Sequence, residues 1–139
     1  ALSYELIRNF TKTEGIASGY YRIFNAYGEG QYHKNFWPSL VQAAKSGNDF
    51  KMTHGEQIRD FVSVDYVAEI FSSLYIQNDF RVGFVYVSNL CSGNPISLKS
   101  FATEWWNTLS ASGKLLFGEV PYRSGEIMRY VPLNHSKLL

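Results

Sequence analysis

The sequence has a single cysteine, Cys91, so no intrachain disulfide can staple the chain. That usage fits a reducing compartment and sets the expectation of a cytoplasmic protein. Charge is also scarce and nearly balanced, with thirteen basic against twelve acidic residues for a net charge of +1. Such a balance builds no polyanion-binding face, which sets nucleic acid aside as a partner. Long hydrophobic runs are missing as well. The longest, Val82-Gly-Phe-Val-Tyr-Val87, is far too short to cross a membrane. No basic-then-apolar start marks a signal peptide. The histidines His33, His54 and His135 lie far apart without metal-ligand spacing, so no metal site is expected. Ser88, Ser92 and Ser97 match no nucleophile elbow, and serine hydrolase chemistry has no support.

Apolar and aromatic side chains are plentiful. At 45% apolar and 17% aromatic, the 139 residues exclude a disordered chain and suit one folded unit. Leu2, Leu6 and Phe10, with Ile7 beside them, have helical spacing up to a stop at Gly15. Nothing before Leu2 caps that helix and the first residue is Ala1, so the chain is expected to be a piece entered inside a helix. Gly19 to Phe24 reads as a strand running into the turn-prone Asn25-Ala-Tyr-Gly-Glu-Gly30. A polar loop through Gln31 and Asn35 leads to a helix with Pro38 in its first turn. Trp37, Leu40, Val41 and Ala44 form its apolar face, and Ser46-Gly47-Asn48 ends it. Phe50, Met52 and the stretch Ile58 to Val64 read as short strands. Asp65 is the expected N-cap of a helix striped by Val67, Ile70, Phe71 and Leu74. Val82 to Ser88 is expected to be a strand buried on both faces. Ser97 caps a helix carrying Leu98, Phe101, Ala102, Trp105 and Leu109. A strand over Lys114 to Phe117 precedes the loop Gly118 to Gly125. Strands alternating with helices imply an α/β fold with some parallel pairing, in a single unit spanning 1–139.

Three loops carry groups suited to an anion or a polyol: Asn25 to Gly28 after the first strand, His54 to Asp60, and Tyr122 to Glu126. Arg59 and Arg123 each present a planar fork that matches phosphate oxygens. Glu126 can accept hydrogen bonds from sugar hydroxyls. A lone arginine is often only a surface ion pair, so the forks gain meaning from their company. Cys91, after a buried strand, reads as a packed residue and not as a nucleophile.

Four stretches occur in order: Arg22-Ile-Phe-Asn25-Ala-Tyr-Gly28, Gly55-Glu-Gln-Ile-Arg59-Asp60-Phe-Val-Ser-Val-Asp65, Val87-Ser-Asn89-Leu-Cys-Ser-Gly93 and Arg123-Ser-Gly-Glu126. Together they resemble the NAD-dependent nucleotide-sugar epimerases and dehydratases, the extended short-chain dehydrogenases. The resemblance implies the end of a Rossmann-type parallel sheet plus the small mixed α/β substrate-binding domain. It implies that Asn25 touches the substrate's sugar or phosphate, and that Trp37 and Leu40 border the nucleotide. Arg59 and Arg123 would meet the diphosphate and Glu126 the ribose, while Asp60 would fix the local backbone. Ile23 and Phe24 would approach the nicotinamide of NAD or NADP. Phe36 to Phe61 looks closest to members acting in bacterial surface-sugar pathways.

The departures are equally informative. Cys91 stands where a glycine is usual, and the Gly-x-x-Gly-x-x-Gly turn and the Tyr-x-x-x-Lys pair do not occur. Asn134 to Leu139 looks like the start of a closing helix. The chain is therefore expected to be the substrate-binding half of such an enzyme, with no catalytic residue of its own. Alone it should be inactive and bind little or no cofactor. The parent is expected to be a homodimer that takes a nucleoside-diphosphate sugar, oxidises it at C4 and then epimerises or dehydrates it. The alternative is a stand-alone, non-catalytic nucleotide-sugar or carbohydrate-binding module.

Overall fold

The computed structural model describes residues 2–76 and 80–133. The chain begins with α1 (Leu2–Glu14), then β1 (Ser18–Ile23), β2 (Ala26–Tyr27) and α2 (Phe36–Lys45). Short strands β3 (Phe50–Met52), β4 (Ile58–Arg59) and β5 (Val62–Ser63) lead into α3 (Val64–Ile76). There follow β6 (Val85–Leu90), β7 (Ile96–Ser97), α4 (Leu98–Thr108), β8 (Leu115–Phe117) and β9 (Arg129–Tyr130). The side chain of Leu74 and the segment 134–139, where a starting helix is expected, lie outside the described residues.

The α/β class and its parallel pairing are as expected. β1 runs parallel to β6, from Ser18 opposite Val85 to Ile23 opposite Leu90. β2 pairs parallel with β5, and β3 with β8. β4 sits between antiparallel β7 and parallel β9. The main core lies between α2, α4 and the β3–β8 pair, where Leu40, Ala44, Met52, Ala102 and Trp106 are buried together. Trp106 brings a polar group inside, and its Nε1 donates to the Gly113 carbonyl at 3.1 Å. That bond makes the burial of an indole affordable.

Helix α1 carries two apolar stripes, and only one is covered. Thr11 is fully buried and its Oγ1 donates to Ser18 Oγ at 2.6 Å, with Tyr4 and Ile7 half-buried on the same side. Leu2, Leu6 and Phe10 are 76%, 61% and 58% exposed. Periodicity alone identifies the helix but does not say which stripe meets the sheet.

Two expectations need correction. The N-cap of α3 is Ser63, whose Oγ accepts from Tyr66 N–H at 3.1 Å. Asp65 lies inside the first turn, where its charge still suits the helix N-terminus. The sixth strand starts at Val85 and not at Val82, because a turn occupies the residues before it. Gly83 has φ +80° and donates to the Ile16 carbonyl at 2.7 Å. Only one face of this strand is closed: Ser88 and Leu90 are buried, whereas Val87 is exposed. Burial on both faces is therefore not reached among the described residues.

Candidate functional site

The carboxyl end of β1 is where an open α/β sheet places a ligand. Here Asn25 turns the chain sharply, with φ +25°, a left-handed conformation unusual for a residue with a side chain. Its Nδ2 donates to the Asp60 carbonyl at 3.3 Å, and its own carbonyl accepts from Val62 N–H at 3.5 Å. The bend therefore delivers Asn25 against the link between β4 and β5. Gly28 follows where the chain presses on α3, and a Cβ there would collide with the Val64 side chain.

Asp60 is fully buried and fixes backbone, as the resemblance implied. Its Oδ1 accepts from Ser92 N–H at 2.6 Å and Ser92 Oγ at 2.8 Å, and Oδ2 from Gly93 N–H at 3.0 Å. Three donors compensate for taking the carboxylate out of water. The loop after β6 is thereby tied to the residue next to Arg59.

Arg59 lies partly buried beside Asn25. Its Nη1 donates to the Ile58 carbonyl at 2.9 Å, and its Nη2 donates to the Ile127 carbonyl at 2.7 Å and to Glu126 Oε1 at 3.4 Å. The Arg59 and Glu126 side chains are only 16% and 23% exposed, so this pair is less screened than a surface bridge. Asn25, Gln31, Asn35, Trp37 and Arg59 line one cavity of about 260 Å3. Tyr27, Phe61 and Phe101 supply its aromatic wall, with the two phenylalanine rings stacked at 3.9 Å. Burial pushes the Tyr27 phenol pKa up, and the charges of Glu104 and Asp65 push it the same way. Trp37 also borders two further hollows of about 360 and 390 Å3, along with Val41 and Lys45.

The expected site residues fall into two groups. Asn25, Trp37 and Arg59 meet at the cavity, and Glu126 reaches it through Arg59. Leu40 instead lies fully buried in the core and does not line the cavity. Arg123 is exposed on the loop before β9 and is likewise not among the lining residues. That loop is held nearby. The Tyr122 hydroxyl donates to Glu56 Oε2 at 3.1 Å and accepts from Glu56 N–H at 3.2 Å. Ile23 is exposed at the end of β1, while Phe24 turns inward and stacks on Tyr130 at 5.4 Å.

Gln31 is the residue that sequence reasoning passed over as loop. Its Nε2 donates to the Ala26 carbonyl at 2.8 Å, which ties it to the start of β2, next to Asn25. Gln31 Oε1 and Trp37 Nε1 are both buried, with no hydrogen-bond partner among the described residues. A neutral amide carries no charge or spacing signature, so only the polar character of the loop hinted at it. Among the described residues no group of three His, Cys, Asp or Glu side chains is placed to hold a metal ion. No helix of the described residues is long and apolar enough to cross a membrane.

Comparison with known proteins adds three likenesses. The profile of the NAD dependent epimerase/dehydratase family matches residues 1–87. A CDP-abequose synthase from Salmonella typhimurium is 32% identical over 116 residues, covering 81% of this chain and 38% of that protein. The chain thus spans well under half the length of that relative. Among solved structures, a UDP-N-acetylglucosamine 4-epimerase from Methanobrevibacter ruminantium in complex with UDP-N-acetylmuramic acid superposes with a TM-score of 0.77. It is 21% identical, over 96% of this chain and 42% of that one. A dTDP-glucose 4,6-dehydratase from Streptomyces venezuelae with NAD bound gives a TM-score of 0.68 at 20% identity, over 94% and 39% of the two chains. The fold is shared with both.

Proposed function

Because the chain belongs to the NAD dependent epimerase/dehydratase family, we propose that it forms the substrate-holding side of a sugar-nucleotide epimerase or dehydratase. The observation that carries this is Arg59, partly buried beside Asn25 in one cavity and already engaged by Glu126. A diphosphate entering there would replace part of the Glu126 contact with a fork of charge-assisted hydrogen bonds. Glu126 would then be released toward ribose hydroxyls. Arg123, exposed on a loop tied to Glu56, would close over the same phosphates. Two guanidinium groups suit a doubly charged ligand, since desolvating that charge unpaired is costly.

Asn25 would hold the sugar or its adjoining phosphate at the end of β1, and Trp37 would border the nucleotide. NAD, when bound, would supply hydride acceptance at the sugar carbon. Ile23, apolar and exposed at that strand end, fits the side of a nicotinamide ring, and Phe24 would support it from behind. Leu40 would act only by shaping the helix beneath Trp37. The sequence has neither the Gly-rich turn nor the Tyr-x-x-x-Lys pair, so binding energy gathered here would position a sugar for chemistry done elsewhere. The likeness to CDP-abequose synthase makes a CDP-linked sugar the first candidate. A cytoplasmic homodimer serving surface-polysaccharide synthesis belongs to the same proposal, as does the extent of the unit, 1–139.

Calorimetric titration with CDP-, UDP- and dTDP-linked hexoses tests it. The chain should bind at least one of them, lose more than tenfold in affinity in Arg59→Ala, and show no NAD-dependent turnover. Binding indifferent to Arg59→Ala would overturn the assignment of the cavity. A non-catalytic nucleotide-sugar or carbohydrate-binding module is the second reading, favoured by the stacked Phe61 and Phe101 rings that wall the cavity beside Arg59. Tight binding with no gain when NAD is added would favour it.

A further inference from the structure

On the footing that the cavity takes a nucleotide sugar, we propose that Gln31 and Trp37 form a wall that reads a hydroxyl of the sugar ring. Gln31 Nε2 donates one N–H to the Ala26 carbonyl at 2.8 Å, which fixes the amide with its oxygen as the buried acceptor. That oxygen has no partner among the described residues, nor has Trp37 Nε1, and both atoms are buried. Buried polar atoms are rarely left unmet, and each such case calls for an explanation. Both residues line the cavity that holds Asn25 and Arg59.

An amide oxygen only accepts and an indole N–H only donates. Their complement is a group that both donates and accepts, which describes a sugar hydroxyl or the amide edge of a base. Position selects the hydroxyl. Gln31 is anchored to Ala26, the residue after Asn25 and the first of β2, on the side where the sugar would lie. The two atoms sit below the cavity surface, so the hydroxyl meets them as the Trp37 ring shifts. The hollows of about 360 and 390 Å3 that Trp37 also borders give the ring room to do so. The wall therefore favours sugars bearing a hydroxyl at the facing carbon over those lacking it, because a missing hydroxyl leaves both protein groups unpaired.

The test uses 1H–15N spectra of the full chain, with the Trp37 indole signal assigned through Trp37→Phe. CDP-glucose, UDP-glucose and dTDP-glucose are each titrated beside the matching nucleoside diphosphate. The glucose-bearing ligand should shift the Trp37 indole signal further than the diphosphate alone does. Gln31→Leu and Trp37→Phe should each weaken the glucose-bearing ligand about threefold to tenfold more than they weaken the diphosphate. Should Gln31→Leu fail to fold, Trp37→Phe decides the matter, since it keeps an aromatic ring in place. Equal shifts and equal losses with the diphosphate alone would give the wall to the base and overturn the proposal. Unchanged affinities in both variants would overturn it too, while the Arg59 dependence of binding stood. If neither ligand binds, or binding ignores Arg59→Ala, the nucleotide-sugar reading itself falls.

Discussion

Asp60 and Arg59 are neighbours in sequence with opposite tasks, and burial separates them. Asp60 gives its oxygens to Ser92 and Gly93, whereas Arg59 lines the cavity. Asp60→Ala would leave three donors unmet in the interior and should cost about 3–5 kcal/mol, read as a lowered urea midpoint. A loss below about 1 kcal/mol would mean that water takes over those bonds. Much of this pair was legible through the resemblance, which gave Arg59 to the diphosphate and Asp60 to the backbone, whereas residue types alone left Arg59 open to a plain ion pair. Gln31 was not legible. Its importance comes from a hydrogen bond to Ala26 and a buried oxygen, neither of which leaves a trace in composition or spacing. Leu40, placed at the nucleotide by the resemblance, packs wholly into the core, in keeping with its position on the apolar face of α2.

At the scale of elements, helices were easier to read than strands. α2 and α4 announce themselves by a proline in the first turn, a capping serine and apolar spacing. The Ser97 cap is present as expected, its Oγ accepting from Ser100 N–H at 3.0 Å. Ser97→Ala should therefore destabilise the chain by about 1 kcal/mol, measured by chemical denaturation, and Ser97→Asp should restore most of it. β9 carries no signal at all, being two exposed residues aligned only by pairing with β4. β6 was misjudged in extent because β propensity continued through Val82 to Phe84, where Gly83 makes a turn against Ile16 instead. Local preference lost there to a tertiary hydrogen bond.

For the whole molecule, the parallel β1–β6 pair and the helices and short strands around it place the cavity at a strand end, where the family fold leads one to seek it. The apolar stripe Leu2, Leu6 and Phe10 lies bare on α1, and Val87 is open on β6. Exposed apolar residues aligned on one helix face favour association. Sedimentation of the chain should show self-association rising with concentration, and Leu6→Glu with Phe10→Glu should abolish it. A monomer at every concentration would show that the stripe is tolerated in water.

The central claim is that one cavity, walled by Asn25, Trp37 and Arg59, holds the phosphate and sugar of a nucleotide sugar. A crystal structure of the chain with the tightest-binding nucleoside-diphosphate hexose tests it most directly. The account predicts the diphosphate on Arg59, with Glu126 turned from the guanidinium and the hexose toward Asn25. Electron density for the ligand outside that cavity, with the Arg59–Glu126 pair unbroken, would contradict it.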